Sequence, residues 1–88
     1  DLNPASMNDN VRRLTVSSII EAIEGAFELD ANVVTIHPGY IPPLWSSYVE
    51  DILDNNFSSI NDIVEVAEDY EVMIGLENMP NYMGVLGI

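Results

Sequence analysis

The chain of 88 residues contains no cysteine and no lysine; its only basic side chains besides His37 are Arg12 and Arg13. Without cysteine there are no disulfides and no thiolate metal sites. No stretch approaches the roughly 18–20 apolar residues that a membrane span requires. No signal peptide is visible either, so no membrane partner is expected and a cytoplasmic location is the default expectation. The sequence also lacks a glycine-rich phosphate loop, a nucleophile elbow and a Cys-His pair. Fifteen acidic residues against two arginines give a formal net charge of −13. Such a surface repels polyanions at long range and would not by itself hold DNA, RNA or an anionic membrane. The acidic residues are spread along helical patterns rather than gathered in a block, which reads as a solvated face and not as an interaction tail.

What is present is a normal globular share of apolar residues, 48%, in a length that allows one small domain. Residues 1–7 read as a loop, with Pro4 barring regular pairing and Ser6–Asp9 resembling a capping box. From Asn8 to about Leu29, apolar residues recur every three or four positions (Val11, Leu14, Val16, Ile19, Ile23, Phe27), with Glu21, Glu24 and Glu28 on the other face. Val33–Ile36 is a compact β-branched run that predicts a strand buried on both faces, as in a parallel sheet. Pro38 ends it because proline cannot donate to a ladder. A second helical pattern begins at Leu44 with Trp45, Tyr48, Val49, Ile52 and Leu53. The poor helix formers Asp54-Asn55-Asn56 favour a break near 54–57, with Ser58 and Ser59 offering fresh N-caps for a stripe that runs to about Tyr70. Val72–Glu77 reads as a second strand, and 78–87 as a loop.

The predicted order is helix, strand, helix, strand, an α/β arrangement that implies a parallel sheet. Two such apolar strands need neighbours on each edge, so the chain is read as an internal slice of a larger α/β protein. Both strands end in side chains capable of chemistry: His37 followed by Pro38-Gly39, and Glu77 followed by Asn78. In a parallel sheet both lie at the carboxyl ends of the strands, where such folds build active sites. His37 can bind a divalent ion or shuttle protons, or it can satisfy a loop carbonyl. Glu77 can hold metal or act as a general base, or it can be an ordinary exposed strand end. Asn78 is a candidate for contacting a substrate hydroxyl or for a turn. Tyr40, Trp45 and Tyr82 are candidates for stacking on a sugar or base, with core packing as the alternative. Asp1 and Asn3 could line the same mouth, although Asn3 reads more readily as a turn residue, and Arg12 and Arg13 as members of a helix-face ion pair.

The segments Asp1-Leu2-Asn3-Pro4-Ala5-Ser6, Thr35-Ile36-His37-Pro38-Gly39 and Leu76-Glu77-Asn78-Met79-Pro80 together resemble the xylose isomerase-like TIM-barrel superfamily. This superfamily joins endonuclease IV-like apurinic endonucleases (AP endonuclease family 2) with sugar and sugar-phosphate isomerases and epimerases. The resemblance implies that residues 1–88 are a partial (β/α)8 barrel, from just after its second strand through its fourth. It implies metal-ligand roles for His37 and Glu77, with Glu77 also the catalytic acid/base group in the isomerase branch. The implied cofactor is a divalent metal: zinc, or manganese or magnesium. The leading expectation is an isomerase or epimerase of a small sugar or sugar phosphate. The His-Pro-Gly turn keeps a zinc-dependent nuclease of abasic DNA as the alternative, which the charge and the sequence Met79-Pro80-Asn81-Tyr82 oppose. A diverged, non-catalytic barrel is the third reading.

Two ligands do not close a metal site, since a catalytic zinc takes at least three from protein. The isolated chain is therefore expected to be inactive and to bind metal weakly; calorimetry giving submicromolar zinc affinity for the monomer contradicts this. With open strand edges it is also expected to self-associate. A stable monomer in light scattering at high concentration refutes that expectation.

Overall fold

A computed structural model describes residues 2–78, 81 and 85–88. Helix α1 (Asp9–Glu28) leads to strand β1 (Val33–Ile36), and a second helix, α2 (Val49–Asp69), leads to strand β3 (Met73–Leu76). A two-residue strand β2 (Tyr40–Ile41) and a 3-10 turn (Pro43–Tyr48) lie between β1 and α2, and a short β4 (Leu86–Gly87) follows β3. The architecture is α/β, as the alternating sequence patterns predict. β1 and β3 pair in parallel, Val33 with Met73 through Ile36 with Leu76. β2 and β4 pair antiparallel, Tyr40 with Gly87 and Ile41 with Leu86. That small ladder falls in segments that read as loops in the sequence.

The main core forms where both helices cover one face of the β1–β3 pair. Ile23 of α1, Ile63 and Ala67 of α2, Ile36 of β1 and Val72 form its buried centre, with Val34 and Ile74 packed against it. Because side chains alternate across a strand, residues of the other parity face away from the helices. They are open: Val33 is 51% and Met73 70% exposed. The expectation of strands buried on both faces is thus corrected, because within this chain the helices cover only one face. A second cluster of Ala5, Ile41 and Ile52 seats the amino-terminal loop and β2 against the start of α2.

Other boundaries also shift for physical reasons. The cap of α1 is Asn8, whose side-chain oxygen accepts the N–H groups of Asn10 and Val11; Ser6 instead accepts the N–H of Asn8. α2 runs without a break through 54–57. Asn55 and Asn56 are tolerated there because their carboxamides bond to other segments: Asn55 donates to Ser6 O, and Asn56 accepts from Gly39 N–H. Ser59 caps nothing; it is buried within α2 and donates to Pro4 O at 2.6 Å. Leu14 and Phe27 of the first apolar pattern are exposed, as are Leu44, Trp45, Tyr48 and Leu53 of the second. Trp45 and Tyr48 pack on each other in the 3-10 turn, with ring centroids 5.6 Å apart. Arg12 does pair with Asp9 on the helix face, at 2.5 Å. Among the described residues no helix is long and apolar enough to cross a membrane.

Both helices end in the same way. Ala31 N–H bonds to Ala26 O and Asp30 N–H to Phe27 O; Val72 N–H bonds to Ala67 O and Glu71 N–H to Glu68 O. This Schellman pattern places Asp30 at φ 58° and Glu71 at φ 56°, in the left-handed region that glycine prefers. Relieving that strain should outweigh glycine's extra chain entropy, so Glu71→Gly should raise stability by about 0.5–1 kcal/mol. Asp30→Gly should gain less, because aspartate tolerates the left-handed region better. Gly39→Ala should instead cost about 1–3 kcal/mol, because a Cβ there would meet Ala5 Cβ at 2.3 Å and Ala5 N at 2.9 Å. Urea melts of the three variants measure all three shifts.

Candidate functional site

The site lies one residue past the β1–β3 ladder. The Ile36–Leu76 register continues into a hydrogen bond from Glu77 N–H to Ile36 O at 3.1 Å. His37 and Glu77 therefore follow as lateral neighbours, with the strand parity of Val33 and Met73, on the face that the helices leave open. Their side chains meet there: His37 Nε2 stands 3.9 Å from Glu77 Oε2. Side-chain exposures of 59% and 65% leave both groups accessible to a ligand. Among the described residues, no group of three or more His, Asp or Glu side chains is close enough to hold a metal.

A cleft of about 420 Å³ opens between β1 and α1; its lining includes His37, Pro38, Tyr40, Thr35, Leu2 and Thr15. No residue of β3 lines it, and neither does Glu77. Tyr40 is half-buried and borders this cleft on the His37 side. Asn78 is exposed beside Glu77. Trp45 sits in the 3-10 turn and lines a different, smaller cleft with Asn3, Pro42 and Ile52, so it is not brought to His37. Asp1, Tyr82 and the Met79-Pro80 part of the Leu76–Pro80 segment lie outside the described residues.

Sequence reasoning missed the groups that hold the His37 turn. Asn3, read mainly as a turn residue, is buried. Its Oδ1 accepts the N–H groups of Ala5 and Tyr40, its Nδ2 donates to Tyr40 O, and its own N–H donates to Thr15 Oγ1. It thus forms the Ala5 turn and pairs both backbone groups of Tyr40, 37 residues away. Asn56 Oδ1 accepts Gly39 N–H at 2.8 Å. A signal for Asn56 existed: it interrupts the stripe Ile52, Ile63, Ala67 at a helical spacing that points inward. A polar residue on that face needs a buried partner.

Comparison with known proteins adds the wider frame. The family model described as xylose isomerase-like TIM barrel matches residues 1–87. Two uncharacterized proteins of Methanocaldococcus jannaschii are similar. MJ1311 is 72% identical over all 88 residues, which cover 30% of its length. MJ1614 is 32% identical over 82 residues, covering 93% of this chain and 32% of that protein. A crystal structure of a D-tagatose 3-epimerase-like protein superposes with a TM-score of 0.91 at 71% identity, covering 99% of this chain and 33% of that one. The chain thus spans about a third of the length of the proteins it matches. With nearly every residue inside the matched region, the chain belongs to the xylose isomerase-like TIM-barrel family and corresponds to a fragment of that barrel.

Proposed function

We propose that these residues form one segment of the active centre of a divalent-metal-dependent sugar or sugar-phosphate isomerase or epimerase. The segment would run from just after the second barrel strand through the fourth. The observation that carries the reading is the meeting of His37 Nε2 and Glu77 Oε2, 3.9 Å apart at adjacent strand ends on the open face. The likeness to a D-tagatose 3-epimerase-like structure supports a small ketose as the substrate class.

The donor set fits a metal in part. Nitrogen and oxygen ligands lie about 2.0–2.2 Å from zinc, so two of them on one ion stand roughly 3–3.5 Å apart. The observed separation of 3.9 Å is close to that. An imidazole with a carboxylate suits zinc or manganese, and the further ligands would come from other strands of the barrel. A divalent cation held there would polarise the substrate carbonyl and lower the cost of charge on its oxygen.

Glu77 is assigned the proton transfer. Its carboxylate takes the proton from the carbon next to the carbonyl; the C–H electron pair moves into the C–C bond and the carbonyl pair onto oxygen. Return of a proton to the opposite face of that carbon, from a group outside this chain, inverts the centre. His37 would help hold the cation or orient a substrate hydroxyl. Asn78 and Tyr40, beside Glu77 and His37 respectively, are assigned to the substrate side as hydrogen-bonding and stacking groups.

In the whole enzyme, Glu77→Gln should lower kcat by about 10²–10⁴. It should also abolish wash-in of solvent deuterium at C3 of D-tagatose, and His37→Ala should weaken metal affinity. Incision of abasic-site DNA that disappears in both variants, without any sugar exchange, would replace this reading with the nuclease one.

A further inference from the structure

We propose that Asn56 is a positioning residue for His37: its carboxamide anchors the turn after β1 and so fixes where the imidazole stands relative to Glu77. The turn Pro38-Gly39-Tyr40 has two backbone N–H groups, since proline has none, and both are taken by asparagine side chains from other parts of the fold. Asn56 Oδ1 accepts from Gly39 at 2.8 Å and Asn3 Oδ1 from Tyr40 at 3.2 Å. The Gly39 carbonyl accepts in turn from Ile88 N–H at 3.2 Å. Gly39 is also pressed against Ala5 and Asn3 so closely that a Cβ would not fit. The backbone two residues after His37 therefore has one available path, and the direction in which the His37 side chain leaves the strand follows from it.

The two asparagines have different tasks. Asn3 joins the amino-terminal loop to β2 through several bonds, so its removal would disturb the fold broadly. Among the described residues, the hydrogen bond that the Asn56 side chain makes outside its own helix is the one to Gly39. It is 6% exposed on the inward stripe of α2, between Ile52 and Ile63. Leucine would suit that stripe and the helix better. What leucine cannot do is accept the Gly39 N–H, which would then be buried without a partner. The polar group at this position serves the turn rather than the helix, and the turn carries His37.

The test reads the geometry of His37 without metal and then with it. A His37→Gln control assigns the ring proton signals by NMR. In the unmodified protein a nuclear Overhauser contact between the His37 ring and the Glu77 side chain is expected. Asn56→Leu, checked as folded by its thermal transition and amide dispersion, should reduce that contact several-fold. Asn56→Asp, which keeps the acceptor oxygen, should retain it. If Asn56→Leu does not fold, Asn56→Ser is read instead; its hydroxyl is one bond too short to reach Gly39. An undiminished contact in folded Asn56→Leu or Asn56→Ser overturns the proposal, as does equal loss in Asn56→Asp. The second measurement rests on the metal reading of His37: zinc affinity in the whole enzyme should fall about 10- to 100-fold in Asn56→Leu and recover in Asn56→Asp. If the ring contact behaves as expected while no variant, nor the unmodified protein, binds zinc, the positioning role stands and the metal reading fails.

Discussion

The parallel pairing of β1 with β3 sets the positions of the two candidate site residues, His37 and Glu77. Its register puts Ile36 beside Leu76, and one residue further it puts His37 beside Glu77. Because strand parity is fixed, the same register that places Val34, Ile36, Val72 and Ile74 under the helices places His37 and Glu77 on the opposite face. A slip of one residue would turn the apolar set outward and both candidate site residues into the helix-packed core. Burial of the helix-side residues thus fixes the geometry of His37 and Glu77 through the register, and Ile36 O also accepts the Glu77 N–H directly.

The polar framework acts at a second level. A parallel strand end must hand its backbone groups to something, and among the described residues the β1–β3 pairing goes no further than the bond from Glu77 N–H to Ile36 O. Asn3 and Asn56 take the two N–H groups there, and Ile88 closes the Gly39 carbonyl. The β2–β4 ladder then draws the segments after β1 and β3 together. An ordinary loop can swing on its last strand residue. This one is bonded from α2, from the amino-terminal loop and from the carboxyl-terminal residues, so the His-Pro-Gly turn behaves as part of the framework.

Much of this was legible in the sequence, and the limits have physical causes. The two helices, the two main strands and the pairing of His37 with Glu77 at strand ends follow from apolar period and turn residues, which are local signals. The break expected at 54–57 failed because asparagine disfavours a helix only when its side chain competes for nearby backbone; Asn56 has a distant partner instead, 17 residues away. The same fact hid its role. Asn3 likewise resembles a turn residue, and is one through Ala5, but its clamp on Tyr40 spans 37 positions that no local pattern encodes. Exposure of Phe27, Trp45 and Tyr48 was missed because composition does not say which side of a helix finds a neighbour within the same chain.

The unequal closure of the two sheet faces separates what holds this segment together from what it does. On the helix side the chain completes its own core, with Ile23 and Ile63 fully buried. On the other side Val33, Met73, His37 and Glu77 stand open. In a closed barrel that second face is the interior, filled by layers of side chains drawn from alternate strands. One pair of strands can supply only part of each layer and part of any ligand set at its end. A fold built this way can keep its helix-side packing nearly constant while chemistry varies with what the remaining strands bring to the same interior. Two adjacent groups from one strand pair, an imidazole and a carboxylate held in register, are the portion of such a site that a segment of this size can define.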